Sequence, residues 1–301
     1  MTSATAQKSQ DLEAGDACLG TLRDSTAFAH DATTLRQRMN EDGYLFIRGV
    51  QKRETVEAAR RTVLEYLDRD GNLDRACPLM DGVKSATAKP DLYLGGRTEI
   101  THTPSILELT ESAEIMNFFQ HLMGEAPLTI SYKWLRAVGS GSATPPHYDI
   151  VYMGRGSQNL YTCWTALGDI PLEQGPLAVL RGSHALESYR KIRETYGKAD
   201  VDRDNISSFF SHDPREIVTR YGGEWQTSDF KMGDVLIFTM FTMHASIRNL
   251  TNHYRLSCDT RFQPASEPLD ERWVGKSPLG NYAWRKSPVI PTEVSRKEWG
   301  V

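Results

Sequence analysis

Along the first part of the chain, apolar residues recur every three or four positions and glycines end each run. The stretch "DATTLRQRMNEDGYLFIRGV" reads as an amphipathic helix that stops near Asp42 and Gly43 and hands over to a strand, "YLFIRGV". In "KRETVEAARRTVLEYLDRDG", Val56, Ala59, Val63, Leu64 and Leu67 share one helical face, and Gly71 ends the run. A further helix is expected over "SILELTESAEIMNFFQHLMG", with Ser105 as its start signal and Gly124 as its stop. From about residue 127 the rhythm shortens. "LTISYKWLRAV", "YDIVYM", "LYTCWTAL", "GPLAVLRG", "GEWQTSDF", "DVLIFTMF", "ASIRNL" and "YRLSCDTRFQ" are short apolar or alternating runs separated by Gly, Pro, Asn and Asp. Many strands at this spacing predict a sandwich or barrel, interrupted by one helical insert, "HALESYRKIRETYG", between Ser183 and Gly197.

Three segments lack either period. Residues 1–15 are small and polar and are expected to form a flexible arm. Residues 72–104 are rich in Gly, Pro, Asp and Lys; an aperiodic run of that length inside a compact domain is usually functional, so this is the candidate lid. Residues 264–301, with prolines every few positions, are expected to wrap the outside. The organisation is therefore a single domain over 16–301 with its β core at about 127–263.

Composition narrows this picture by exclusion. Of 301 residues, 39% are apolar, which suffices for a sizeable core. Lys and Arg total 35 against 39 Asp and Glu, and a net charge of −4 offers no broad attraction to nucleic acid or to an anionic membrane. Neither partner is expected. No apolar run approaches the roughly 18 residues of a spanning helix, and the start lacks a basic-then-apolar layout, so a cytoplasmic protein is expected. Cys18, Cys77, Cys163 and Cys258 are scattered, which predicts free thiols rather than a disulfide frame or a thiolate zinc site.

Candidate chemistry begins at "ATPPHYDIVYMG". In a strand, positions i and i+2 share a face, so His147 and Asp149 would project an imidazole and a carboxylate side by side. His244, just past the apolar run "GDVLIFTMFTM", is the best placed of the remaining histidines to join them. Two histidines and a carboxylate make the facial triad of non-haem Fe(II) oxygenases, which leaves positions open for a chelating cosubstrate and dioxygen. Arg255, eleven residues on, offers a guanidinium that could take a dicarboxylate end-on. Each residue also has a plainer reading: His244 as a core histidine bonded to a carbonyl, Asp149 as a turn cap, and Arg255 as the partner of Asp259.

The runs "HYD", "LYTCWTALGDIPLEQGPLAVLRGSH" and "GDVLIFTMFTMHASIRNLTNHYRLSCDTRF" resemble the phytanoyl-CoA hydroxylase family of Fe(II)- and 2-oxoglutarate-dependent dioxygenases, with similarity from about residue 36 to about 263. The resemblance implies a mainly β protein with flanking helices, built on a double-stranded β-helix of jelly-roll or cupin-like form. It implies Fe(II), 2-oxoglutarate and O2 as cofactor and cosubstrates, with His147, Asp149 and His244 as iron ligands. By the same match, Arg255 and Ser246 would bind the far carboxylate of 2-oxoglutarate and Trp164 would lie beside it, with Trp134 as a further wall and His102 as a polar contact. "GPLAVLRGSH" resembles a structural turn of the family, with Arg181 where proline is usual; Ser183 is expected to cap the next helix and His184 to stay off the metal. The implied reaction is hydroxylation of a small organic molecule such as a secondary metabolite, with release of succinate and CO2. Related halogenases have a small residue in place of the carboxylate, so Asp149 favours hydroxylation. Substrate contacts are expected from Tyr93, Lys133, Arg136, Tyr152 and Arg155. Desaturation, epoxidation, cyclisation and epimerisation use the same triad and stay open, as do a zinc hydrolase and a non-catalytic ligand-binding barrel.

Overall fold

The computed structural model describes residues 11–280 and 282–301. Among the described residues eleven strands form two sheets: β1 (Leu19–Thr21), β2 (Tyr44–Ile47), β3 (Asp91–Tyr93), β4 (Pro127–Thr129), β5 (Trp134–Val138), β6 (Tyr161–Ala166), β7 (Leu177–Arg181), β8 (Glu224–Thr227), β9 (Val235–Thr239), β10 (His244–Ser246) and β11 (Arg255–Pro264). The larger sheet runs β2-β9-β6-β11-β5-β3, with β4 also on β11, and the smaller runs β1-β8-β7-β10. All pairings are antiparallel except β1 with β8. Two facing antiparallel sheets give the jelly-roll form.

Alternation along the strands decides what each face meets. On β2 and β9, Tyr44, Phe46, Leu236 and Phe238 pack between the sheets with Trp164 of β6 and Val179 of β7. Their neighbours Leu45, Ile47, Val235 and Ile237 pack outward against α1 (Ala32–Asp42) and α5 (Ala113–Met123). Farther along the same outer face, α2 (Arg53–Arg69) and α4 (Pro104–Glu111) cover Leu135, Ala137, Leu256 and Cys258, while a short α3 (Thr98–Thr101) precedes α4. On β11 the apolar members, Leu256, Cys258 and Phe262, face the helices, and the alternate residues Arg255, Ser257, Asp259 and Arg261 form a buried polar row on the other face. That row is the floor of the site.

The glycine stops hold. Gly43 and Gly124 close α1 and α5 in the left-handed conformation (φ 82° at both), donating to the carbonyls of Met39 and Gln120. The single helix expected over 105–124 divides at Ser112, which is extended (ψ 155°) and whose hydroxyl accepts from the Ile115 N–H to start α5. "YDIVYM" is one turn of helix, α6 (Ile150–Met153), rather than a strand. The insert after Ser183 holds only the five residues of α7 (Arg190–Glu194) between short 3-10 turns. Ser183 does not cap it; its hydroxyl accepts from the Met243 N–H. Two further helices, α8 (Pro214–Tyr221) and α9 (Thr292–Trp299), complete the chain.

The aperiodic segments are built in. Residues 1–10 of the expected arm lie outside the described residues, but Leu12 is buried and its carbonyl accepts from the Arg248 N–H. Segment 72–104 supplies β3 to the edge of the larger sheet and buries Leu73, Leu94 and Ile100, so it is part of the body. The tail buries Arg272 and Trp273, and Tyr282 reaches the central cavity. No helix among the described residues is long and apolar enough to cross a membrane.

Candidate active site

Pro145 and Pro146 hold the chain extended as it enters the barrel. His147 then pairs with His244, the first residue of β10, through reciprocal backbone bonds of 3.0 Å, which brings the ring centroids to 4.2 Å. Asp149 is not extended. It sits at the start of α6 (φ −68°, ψ −26°), and this turn swings its carboxylate to the same side as the imidazoles. The side chain makes no capping bond. Its Oδ1 lies 3.9 Å from His147 Nε2 and 3.8 Å from His244 Nε2.

Each imidazole has a fixed tautomer. Nδ1 of His147 donates to the Pro145 carbonyl (2.9 Å), and Nδ1 of His244 donates to the Thr242 carbonyl (3.1 Å). A carbonyl only accepts, so the protons are on Nδ1 and the Nε2 lone pairs face Asp149. The plain reading of His244 therefore holds for one nitrogen and frees the other. Burial, followed by the adjacent His244, pushes His147 down to about 3, and burial also lowers His244, so both rings are neutral at ordinary pH. Burial alone would raise the Asp149 carboxyl. The Arg261 guanidinium, with the Thr162 hydroxyl, outweighs it and holds the group well below the usual carboxylate range.

Asp149 Oδ2 is fully engaged, accepting from Thr162 Oγ1 at 2.6 Å and Arg261 Nη2 at 2.9 Å. Oδ1 is left for the triad. Two imidazole lone pairs and a carboxylate oxygen, mutually within 4.8 Å and too far apart to share a proton, form a donor set that a cation satisfies. Three protein ligands from one side leave room for others, so the residues fit a non-haem iron.

Beside the triad is a narrow cavity lined by His147, His244, Thr144, Trp164, Arg136, Arg255 and Asp259. Arg255 is buried, and its contacts are neutral: Nε donates to the Gly175 carbonyl (3.1 Å) and Nη1 to Ser257 Oγ (2.6 Å). Burial and the nearby Arg136 push it down to about 10, against the pull of Asp259. Asp259 does not bond it; Asp259 Oδ2 accepts from Arg136 Nε at 3.1 Å. A buried guanidinium with only neutral partners fits the distal carboxylate of 2-oxoglutarate. Ser246, on β10, accepts from the Thr144 N–H, next to this cavity. Trp164 lines it, with the Arg255 guanidinium 5.8 Å from its ring.

A larger cavity of about 340 Å³ opens from the triad, walled by Tyr93, Tyr132, Trp134, Arg136, Tyr152, Met153, Phe209 and Tyr282. Tyr93, Arg136 and Tyr152, expected as substrate contacts, line this cavity, and Trp134, expected as a wall beside the cosubstrate, lines it and not the narrow one. Lys133 does not: one position along β5 from Trp134 it faces the other way, bonded to the Ile130 carbonyl and paired with Glu111. Arg155 is bound to Asp200 in a groove beyond α6. His102 ends α3, shares its Nδ1 with Thr101 Oγ1 and lines neither cavity.

Sequence reasoning missed Arg261, Thr162, Phe209, Tyr132 and Tyr282. Arg261 and Thr162 had a signal, since Arg261 is six residues from Arg255 and Thr162 two from Trp164, on the same faces of β11 and β6. Phe209 and Tyr282 lie in irregular segments where no period marks orientation.

Comparison with known proteins agrees with this geometry. The family model "Phytanoyl-CoA dioxygenase (PhyH)" matches residues 39–257. The 1-deoxypentalenic acid 11-beta-hydroxylase of Streptomyces exfoliatus is 30% identical over 260 residues, covering 81% of this chain and 85% of that enzyme; its Streptomyces arenae counterpart is 27% identical over 256 residues, with the same coverage. In fold the chain is similar to the epimerase SnoN solved with Fe3+, alpha ketoglutarate and nogalamycin RO (TM-score 0.57, 21% identity, 86% of this chain and 97% of that one). It is also similar to EctD from S. alaskensis solved with 2-oxoglutarate and 5-hydroxyectoine (TM-score 0.57, 18% identity, 95% and 93%). With its family model spanning well over half of the chain and a donor set of the matching kind at its centre, the protein belongs to the phytanoyl-CoA dioxygenase family and is a non-haem iron oxygenase that uses 2-oxoglutarate.

Proposed function

We propose that the protein hydroxylates a C–H bond of a small organic molecule of secondary metabolism, held in the 340 Å³ cavity above the triad. The observation that carries this reading is the convergence of His147 Nε2, His244 Nε2 and Asp149 Oδ1 where the two cavities meet. In this reading those three residues hold the iron, and Arg255, with Ser246 close by, receives the far carboxylate of 2-oxoglutarate. Bound iron supplies the oxidising chemistry, in which dioxygen is consumed and 2-oxoglutarate becomes succinate and CO2.

The protein's own contribution is positional. The Nδ1–carbonyl bonds keep both imidazoles neutral and aimed, and Arg261 and Thr162 hold Asp149 so that it offers one oxygen. The aromatic wall excludes water from the reacting carbon and presents it to the centre. Asp149 supports hydroxylation, because the carboxylate fills the position that a halide would otherwise take. The Streptomyces relatives, by name, are hydroxylases of a small acid.

A succinate-release assay across a compound library tests the reading. Asp149→Ala should abolish release, and Arg255→Ala should raise the 2-oxoglutarate KM by about 10- to 100-fold, as expected for loss of a buried charge-assisted contact. Turnover at the wild-type level in either variant would sink the assignment.

A further inference from the structure

The charges lining the two cavities do not balance. Arg136, Arg255 and Arg261 face Asp149 and Asp259, and both imidazoles donate from Nδ1 and keep a lone pair at Nε2 for the metal, so three positive and two negative side chains leave one positive charge over. A ferrous ion and a 2-oxoglutarate dianion cancel each other, so loading the centre does not remove the excess. Buried charge is costly unless it is paired.

Of the three guanidiniums Arg136 is the one a ligand can reach, with its side chain 27% exposed. Arg261 gives Nη2 to Asp149, with its Nε and Nη1 buried and without hydrogen-bond partners among the described residues, and Arg255 lines only the narrow cavity. Arg136 gives only its Nε to Asp259, a carboxylate that also has Arg261 at 3.9 Å, and its two η nitrogens have no acceptor among the described residues. Asp91, on the adjoining edge strand β3, is exposed and forms no ion pair with it. Arg136 lines both cavities, with Cζ 5.5 Å from the Tyr93 ring on the side of the larger one. The surrounding phenols bond in pairs, Tyr93 with Tyr132 at 2.9 Å and Tyr152 with Tyr282 at 3.3 Å, each contact using one O–H of the two. What the wall offers a ligand is therefore apolar surface, phenol hydroxyl and, as its accessible charge, the Arg136 guanidinium fork.

We infer that the substrate is a monoanion, a carboxylate on a compact apolar body, and that Arg136 receives its charged end while Trp134, Met153 and Phe209 enclose the rest. The carboxylate takes the two η nitrogens as a bidentate pair, the geometry in which arginine outperforms lysine. Anchoring one end fixes which carbon faces the triad, so Arg136 also sets regiochemistry. This inference rests on iron and 2-oxoglutarate occupying the inner site.

The test uses the full chain loaded anaerobically with Fe(II) and 2-oxoglutarate, titrated with adamantane-1-carboxylate and a graded series of alicyclic and fused-ring monocarboxylates, each paired with its own primary amide. Binding is read from the visible absorption of the loaded centre and from tryptophan fluorescence, to which Trp134 reports. At least one acid should bind, with its amide weaker by about tenfold or more, the usual worth of a charge-assisted pair. Arg136→Gln should erase that preference and leave the 2-oxoglutarate titration within about twofold of wild type, since Arg255 stays in place. The Arg136→Gln/Asp259→Asn double variant, which leaves no stranded carboxylate, should behave the same way and guards against misfolding. Equal binding of acids and amides throughout the series would overturn the inference. So would weaker 2-oxoglutarate binding in both variants, which would assign Arg136 to the cosubstrate. A wild-type protein that forms no coloured centre would instead break the underlying reading.

Discussion

At the scale of single residues, Asp149 shows how much of a metal ligand lies outside the metal. One of its oxygens is held by a buried arginine and a buried threonine, and Arg261 is in turn stacked on Trp134, with its Cζ 4.0 Å from the ring. Removing the guanidinium leaves a buried carboxylate with a single neutral donor. Arg261→Gln should therefore weaken Fe(II) binding by about 10- to 100-fold, the range found when the partners of metal ligands are removed. Arg261→Lys should fall between, keeping the charge and losing the planar fork. Anaerobic calorimetric titration with Fe(II) measures both, and unchanged affinity in Arg261→Gln would show that Thr162 alone positions the carboxylate. The triad was legible because metal chemistry demands particular residue types at HxD and downstream. Its supporting arginine was not, because a buried guanidinium can serve many purposes and only the fold shows which carboxylate it meets.

At the scale of elements, β11 carries two functions on its two faces. Phe262 stacks on Phe119 of α5 at 3.9 Å between centroids and ties the sheet to its helices, while Arg261, one position away, points to the iron ligands. Phe262→Ala should cost about 3–5 kcal/mol of stability in a denaturant titration. Its folded fraction should bind Fe(II) normally. Arg261→Gln should show the reverse pattern, and a loss of metal affinity in Phe262→Ala would mean that the faces are coupled. This strand was legible from its alternation, as were α1 and α2 from their helical spacing and glycine stops. "YDIVYM" was misread because a short apolar run is the same for a buried helical turn as for a strand. What decides the matter is tertiary: the Ile150 N–H donates to the Met240 carbonyl, and Tyr152 and Met153 donate back to the Asp149 carbonyl.

At the scale of the whole molecule, the proline-rich tail is a structural wall rather than a wrapping, and its attachment is ionic. Arg272 is fully buried and donates to Asp270, to Asp202 at 2.9 Å and to the Tyr152 carbonyl at 2.5 Å, which joins the tail to the turn that carries Asp149. Trp273 follows directly and packs on Trp134 and Tyr132, two walls of the larger cavity. None of this has a periodic signature, because the segment is fixed by side-chain contacts made one at a time. Arg272→Gln would strand Asp202 and Asp270 in the interior, and breaking a buried pair from one side costs about 3–5 kcal/mol. For a domain of this size that corresponds to a melting temperature lower by about 5–8 °C. The tail also supplies Tyr282, so loosening it opens the cavity on that side. The same variant should therefore lose substrate-stimulated succinate release more than it loses Fe(II) affinity, since His147, Asp149 and His244 belong to the jelly roll. Thermal denaturation and Fe(II) titration on one preparation separate the two effects. A melting temperature unchanged from wild type would mean that the tail is held by apolar packing alone.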